Sequence, residues 1–190
     1  MRSYVYLIAA VISFAPATSF AEGAATGYLW KGGEDTAGLG ASGWLAIGNS
    51  PAFVSGKLQA GKVTLAPAIV PPSFVFSPDY DYNEARAGGG LAARLGKSAA
   101  VWAGGQVIRI DVESVDDIGL GLFAGATFSP AELLWLNAEF GIVDAGDFGE
   151  ASEFALNASY SLSKSLSVSV GRHEEIVTGA TTRAGVQFNF

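Results

Sequence analysis

The feature that most constrains this chain is an alternation of large apolar residues with small or polar ones, which recurs along most of its length. In the segment Glu153–Leu162, Phe154 and Leu156 alternate with Ala155 and Asn157. A period of two residues places the apolar side chains on one face of a β-strand and the others on the opposite face. The alternation therefore predicts a protein built of strands and turns.

About ten segments carry this alternation, and most have roughly the ten residues that a tilted strand needs to cross a bilayer. They are Ala25–Lys31, Ala37–Gly48, Val54–Ala66, Glu84–Leu95, Val101–Val112, Asp117–Phe128, Leu133–Val143, Glu153–Leu162, Leu166–His173 and Thr181–Phe190. Eight strands is the alternative, if the first segment and one neighbour lie outside the wall. Two segments are less regular, because Gly104 and Gly105 are compatible with a bulge, and Lys57 and Lys62 cannot share a face in a regular strand.

A soluble β-sandwich alternates in the same way, so the chemistry of the second face decides between the two classes. That face consists mostly of Gly, Ala, Ser, Asn and Gln, whereas the first carries Leu, Val, Ile, Phe and Tyr. This is a poor surface for water and a suitable interior for a narrow barrel. Since unpaired backbone groups are not tolerated in lipid, strands cross a membrane only as a closed barrel. The sequence predicts an all-β fold, an antiparallel up-and-down transmembrane β-barrel over residues 22–190.

The first 21 residues read as a cleaved signal peptide. Arg2 supplies the basic region, Tyr4–Ala15 the apolar region, and Ser19 and Ala21 the small residues of a cleavage site. A retained membrane anchor is the alternative. Beyond residue 21 no run approaches the roughly 18 apolar residues that a spanning helix requires.

Composition excludes several function classes. The chain has 190 residues and no cysteine, so disulfides and thiolate metal sites are excluded. A formal net charge of −7 gives no basic surface to neutralise phosphates, and no nucleic-acid partner is expected.

Short turns alternate with longer or more acidic connections along the chain. In outer-membrane barrels the short turns are periplasmic and the strand number is even, which places both termini in the periplasm. The longest connection, 67–83, contains Pro67, Pro71, Pro72 and Pro78 together with apolar residues such as Phe74. It could fold over the barrel mouth, rest on the lipid surface or contact a partner.

Several charged residues fall on the predicted inward faces. They are Arg86, Arg94, Glu139 and Arg183, with Glu153 as a further candidate. Charges inside a narrow barrel cost free energy unless they are paired. We therefore predict that Glu139 pairs with one of these arginines and that the charges help to fill the lumen. The alternative is that they face interior water independently.

His173 is the only histidine, and it is the one residue that invites a catalytic interpretation. A lipid-A deacylase or acyltransferase would need a serine and an acid beside it. Ser167 and Ser169 share its face but lie deeper, and Gly171 stands where an omptin-type protease would have an aspartate. We therefore predict no catalytic residues, no cofactor and no metal site, with His173 as a rim residue bonded to acidic neighbours or water.

The last strand, "VQFNF", carries a resemblance. Alternating apolar residues ending in phenylalanine, here Val186, Phe188 and Phe190, resemble the final strand of small bacterial outer-membrane β-barrel proteins. The glycine-rich strand ahead of the "LGKS" turn is also similar to a YfaZ-like family. The resemblance implies location in the outer membrane of a Gram-negative bacterium, with those three residues as the signal for the barrel-assembly machinery. It also implies contact with outer-membrane lipids and lipopolysaccharide, and a monomeric state is expected.

Two functions follow as expectations. The first is a non-enzymatic envelope or surface-interaction protein with a filled lumen, favoured by Trp44, Phe123 and Trp135 on inward faces. The second is a narrow, porin-like channel for small solutes. A lipid A-modifying or omptin-like hydrolase is a third and weaker alternative.

Overall fold

The computed structural model describes residues 23–33, 36–64, 79–96, 98–113 and 115–190. These residues form ten strands and one short 3-10 helix, Gly146–Phe148. The strands are β1 (Gly23–Lys31), β2 (Ala37–Ala46), β3 (Ala52–Thr64), β4 (Asp79–Arg94), β5 (Ala99–Val112), β6 (Val115–Ala131), β7 (Leu134–Asp144), β8 (Glu150–Ser161), β9 (Leu166–Glu175) and β10 (Gly179–Asn189). The prediction of ten strands is confirmed over eight.

All ten strands form one closed antiparallel barrel of up-and-down topology, in which β1 pairs with β10. The closing pair runs from Ala24 opposite Asn189 to Lys31 opposite Thr182. Closure leaves no sheet edge with unpaired backbone groups. Within the described residues, no helix is long and apolar enough to cross a membrane.

The outer surface of the barrel is apolar. Leu29, Leu122 and Phe188 expose 68%, 69% and 57% of their surface. Apolar exposure all round a barrel is unfavourable in water and is the feature that lipid accommodates. The predicted division of faces is confirmed in β8, where Phe154 and Leu156 are exposed and Glu153 is buried.

The two segments whose sequence patterns look irregular form regular strands. Gly105 and Gly104 pair with Gly89 and Gly90 in continuous register, so there is no bulge at this position. A register shift occurs instead where β6 meets β7, between Phe128 and Ala131. Lys57 and Lys62 lie five positions apart in an unbroken strand and therefore face opposite sides.

The lumen has three layers along the barrel axis. At the end with the longer connections, which we call the loop end, buried apolar side chains form a layer that we call the apolar cap. Its residues are Trp30, Val63, Ile108, Ile110, Val112, Val143 and Ala145. Below it lies a layer of charged side chains. The remaining part, toward the termini and the short turns, is an open cavity that we call the vestibule.

Two predictions fall partly or wholly on residues 1–22 and 65–78, outside the described residues. The signal peptide is one. The insertion 67–83 is the other. Its described residues, Asp79–Asn83, belong to β4 and pair with β3, so the prediction that they form part of a connection is wrong.

Candidate functional site: the barrel lumen

Six charged side chains from five strands meet in the middle layer, which we call the charge network. Each lies on the inward phase of its strand, so burial follows from the strand period alone. The six are Lys57 of β3, Glu84 and Arg86 of β4, Glu153 of β8, Glu175 of β9 and Arg183 of β10. Three cations and three carboxylates give the network a net charge of zero.

The six charges form a chain of alternating sign across the lumen. Arg86 joins the first two carboxylates, with Nη1 to Glu153 Oε2 at 2.5 Å and Nε to Glu84 Oε1 at 2.7 Å. Lys57 Nζ joins Glu84 Oε1 at 2.5 Å to Glu175 Oε1 at 2.6 Å. Glu175 also pairs with Arg183, which ends the chain. The chain thus ties the two strands β3 and β4 to the last three strands.

Neutral groups bind several of the remaining polar atoms of the network, although the buried Arg183 Nε has no hydrogen-bond partner among the described residues. The Tyr82 hydroxyl donates to Glu84 Oε2 at 2.6 Å and accepts from Gln59 Nε2 at 2.7 Å. Arg183 Nη2 donates to Gln59 Oε1 at 3.1 Å, and its guanidinium lies 4.9 Å from the centre of the Tyr28 ring. Buried charges are tolerated when they are both paired and hydrogen-bonded, as these are.

The structure brings Arg86, Glu153 and Arg183 into the network but places the other two predicted residues elsewhere. Arg94 is exposed and lines the vestibule. Glu139 also lines the vestibule, and its Oε2 accepts a hydrogen bond from Trp102 Nε1 at 2.8 Å instead of pairing with an arginine. Arg86 does not pair with Glu139 because its side chain already makes four hydrogen bonds to Glu84 and Glu153.

Three further network members were missed by sequence reasoning. Glu84 and Glu175 lie at or beyond the ends of the predicted segments, and Lys57 lay in a segment of unresolved phase. Two of them could have been found from the inward phase of their strands, which Glu84 shares with Arg86 and Glu175 shares with His173.

The vestibule has a volume of about 2100 Å³. Serine, asparagine and glutamine side chains line much of it, together with several aromatic ones. Trp44, Phe123 and Trp135 are among these, as predicted from their inward phase, and the Phe123 ring packs 6.2 Å from that of Phe53. The lumen is therefore filled in its loop-end half and open in the other.

Two hydrogen bonds in the vestibule depend on glycines. A Cβ at Gly125 would overlap the Trp102 indole, which crosses β6 there to reach Glu139. A Cβ at Gly171 would likewise overlap the Asn157 amide, whose Oδ1 lies 2.8 Å from His173 Nε2. Both glycines thus make room for a side chain from the neighbouring strand.

His173 is not at the rim, because β9 continues to Glu175 and the ring faces the vestibule. Asn157 is its hydrogen-bond partner among the described residues, whereas Ser167 bonds to Ser161 and Asn189. The predicted bonding of His173 to acidic neighbours is therefore wrong. Within the described ranges no group of three or more His, Asp or Glu residues is arranged to hold a metal ion.

A closed antiparallel barrel with apolar side chains outside and polar ones inside is the fold of outer-membrane β-barrel proteins. An outer membrane channel from Pseudomonas putida F1 has a similar structure, with a TM-score of 0.50 and 12% identity over 94% of this chain and 98% of that one. The outer membrane protein Ail of Yersinia pestis gives 0.46 and 13% over 89% and 99%.

An anion-selective porin from Comamonas acidovorans gives a TM-score of 0.41 and 15% identity over 80% of this chain. The chain spans about half of that porin, 49% of its length. No protein-family model and no curated protein matches the chain, so the similarity to a YfaZ-like family is not confirmed. The likeness to the Pseudomonas putida channel shows the fold alone.

Proposed function

We propose that this protein is an integral, non-enzymatic outer-membrane protein of a Gram-negative bacterium, with a closed lumen and a role in envelope integrity or surface interaction. The apolar outer face supports contact with outer-membrane lipids and lipopolysaccharide. Val186, Phe188 and Phe190 expose 41%, 57% and 54% of their surface on that face. This exposure is compatible with their role as a signal for the barrel-assembly machinery. The protein acts as a monomer.

One observation carries the proposal of a closed lumen, namely the charge network beneath the apolar cap. Ile108 and Val143 are fully buried in the cap, and the Glu84 side chain is fully buried in the network. All these groups project from wall strands that are hydrogen-bonded on both sides. A solute crossing the barrel would have to break ion pairs between side chains that are at most 13% exposed.

Conductance in planar lipid bilayers tests this proposal. The purified barrel should insert without steady single-channel current over a range of voltages. A heat-modifiable shift on gel electrophoresis checks that the same sample is folded. Steady, voltage-stable channels from the folded protein would contradict the closed lumen.

A narrow channel for small solutes is the second candidate, and the vestibule favours it because half of the lumen is already open. Swelling of proteoliposomes in solutions of small sugars and amino acids separates the two functions. Swelling above the rate of empty liposomes would favour the channel, and an unchanged rate would favour the closed barrel.

The proposed orientation places the loop end outside the cell and both termini in the periplasm. Asp147→Cys, at the loop end, should react in intact cells with a maleimide that does not cross the outer membrane. Ser163→Cys, in a short turn at the other end, should react only after the cells are broken. The reverse pattern would invert the orientation.

A further inference from the structure

The vestibule contains a carboxylate that the charge network does not use. The network is neutral by itself, so Glu139 is an additional negative charge inside the barrel. It lies five residues from the start of β7, about 16 Å along the strand from the barrel rim. Its Oε2 accepts from Trp102, and in the described part of the chain Oε1 has no hydrogen-bond partner.

His173 lies in the same row of paired residues across the sheet as Glu139. Glu139 pairs in register with Ala155, and Ala155 pairs with His173. The two side chains therefore project into the vestibule from positions two strand spacings apart, about 10 Å between their Cα atoms. The methyl group of Ala155 is all that lies between them on this row, so the surface has a gap there.

The tautomer of His173 makes the second side of this gap an acceptor. Asn157 Oδ1 can only accept, so His173 Nε2 carries the hydrogen of that bond. In the neutral ring, Nδ1 is then a lone-pair acceptor, and no described residue donates to it. The gap is thus bordered by two hydrogen-bond acceptors, Glu139 Oε1 and His173 Nδ1, and the first of these belongs to a negatively charged group.

An aromatic wall adjoins the gap. The Trp102 indole is fixed by its bond to Glu139 and by its position over Gly125. Phe123 and Trp135 line the same cavity. Aromatic faces attract cations as well as apolar groups. Five cationic side chains also line the vestibule. Arg94 and Lys164 do so at exposed positions, on the last residue of β4 and in the β8–β9 turn. The other three, Lys57, Arg86 and Arg183, belong to the charge network, where each is paired with a carboxylate.

We infer that the vestibule binds an organic cation that carries a primary ammonium group and an aromatic or alkyl portion. The ammonium group, which has three donors and no acceptor, lies over Ala155 and donates to Glu139 and His173. The apolar portion packs against Trp102. A bound ligand removes water from the Glu139 carboxylate, and a cationic ligand compensates the charge that is buried in this way. A neutral or anionic molecule of the same shape does not, so it should bind more weakly.

The test uses 2-phenylethylammonium chloride as the probe and the barrel in neutral phosphatidylcholine nanodiscs, so that the lipid does not concentrate the cation. Binding is followed by tryptophan fluorescence and by isothermal titration calorimetry. Saturable binding is expected, and uncharged 2-phenylethanol should bind at least about ten-fold more weakly. Equal affinity for the two probes, or no saturable binding of the cation, would overturn the inference.

Three variants locate the site. Glu139→Gln should weaken binding of the cation at least about ten-fold, because it removes the charge but keeps an oxygen for Trp102. Glu132→Gln removes the same charge from an exposed turn outside the vestibule and should leave the affinity unchanged. Ala155→Leu fills the gap without a change of charge and should also weaken binding at least about ten-fold.

The heat-modifiable mobility of each variant confirms that it is folded. If Glu139→Gln does not fold, Ala155→Leu and the comparison of the two probes decide the question. Unchanged affinity in both vestibule variants, or an equal loss in Glu132→Gln, would refute the site.

Discussion

Arg86→Met removes the cation that holds one end of the charge network together. Arg86 makes four side-chain hydrogen bonds, two to Glu84 and two to Glu153. After the substitution Glu84 keeps its contacts with Lys57 and Tyr82. Among the described residues, Glu153 then keeps only the backbone N–H of Ile176 as a donor, at 3.2 Å.

The variant therefore leaves one buried carboxylate without a counter-ion. Removing one partner of a buried ion pair costs about 3–5 kcal/mol, most of it from the charge left behind. We expect the free energy of unfolding of Arg86→Met to fall by about this amount. Adding Glu153→Leu removes the uncompensated charge, so the double variant should be more stable than Arg86→Met alone.

Urea unfolding in phospholipid vesicles, followed by tryptophan fluorescence, measures both effects. Arg109→Met is the matched control, because Arg109 also binds a carboxylate through two nitrogens, that of Asp116, but does so on the outside of the barrel. The side chains of Arg109 and Asp116 are 58% and 48% exposed, and solvent screening makes an ion pair at such a position weak. Equal destabilisation by the two arginine variants, or a double variant less stable than Arg86→Met, would refute the account.

Three further predictions concern other parts of the barrel. Gly125→Val should displace the Trp102 indole and lower the free energy of unfolding by about 1–3 kcal/mol, because the hydrogen bond to Glu139 is lost. The near-ultraviolet circular dichroism spectrum should change as well, and an unchanged spectrum would contradict the prediction. Tyr82→Phe should cost only about 1 kcal/mol in urea unfolding, because Glu84 keeps its ion pairs, and a loss as large as that expected for the arginine variant would count against it. Phe190→Ser should reduce the amount of heat-modifiable barrel in outer-membrane fractions, and a normal amount would argue against the assembly signal.

The strands could be predicted from the sequence because each one divides two different environments. Where one face carries Phe154 and Leu156 and the other Asn157 and Ser159, the period identifies both the strand and its orientation. In β5 this signal is absent, since Val107 faces outward and Ile108 faces inward, both large and apolar. The apolar cap therefore could not be predicted, because its residues look like ordinary lipid-facing ones.

The pairing of the inward charges depends on information that a period of two residues does not contain. Lys57 and Glu175 lie 118 positions apart in the chain, and they meet only because closure of the barrel brings β3 and β9 to a common level. The inward phase of Glu139 was predicted correctly, but its level along the axis was not. That level depends on the register of every strand pair between it and the arginines.

The zero net charge of the network has a consequence for its response to an electric field. Moving one elementary charge through a potential of 100 mV changes its energy by about 2.3 kcal/mol, and this is how charged segments in membranes sense voltage. Here the forces on three cations and three anions cancel, and each side chain is attached to a strand of the closed wall. A membrane potential therefore exerts no net pull on the layer that closes the lumen.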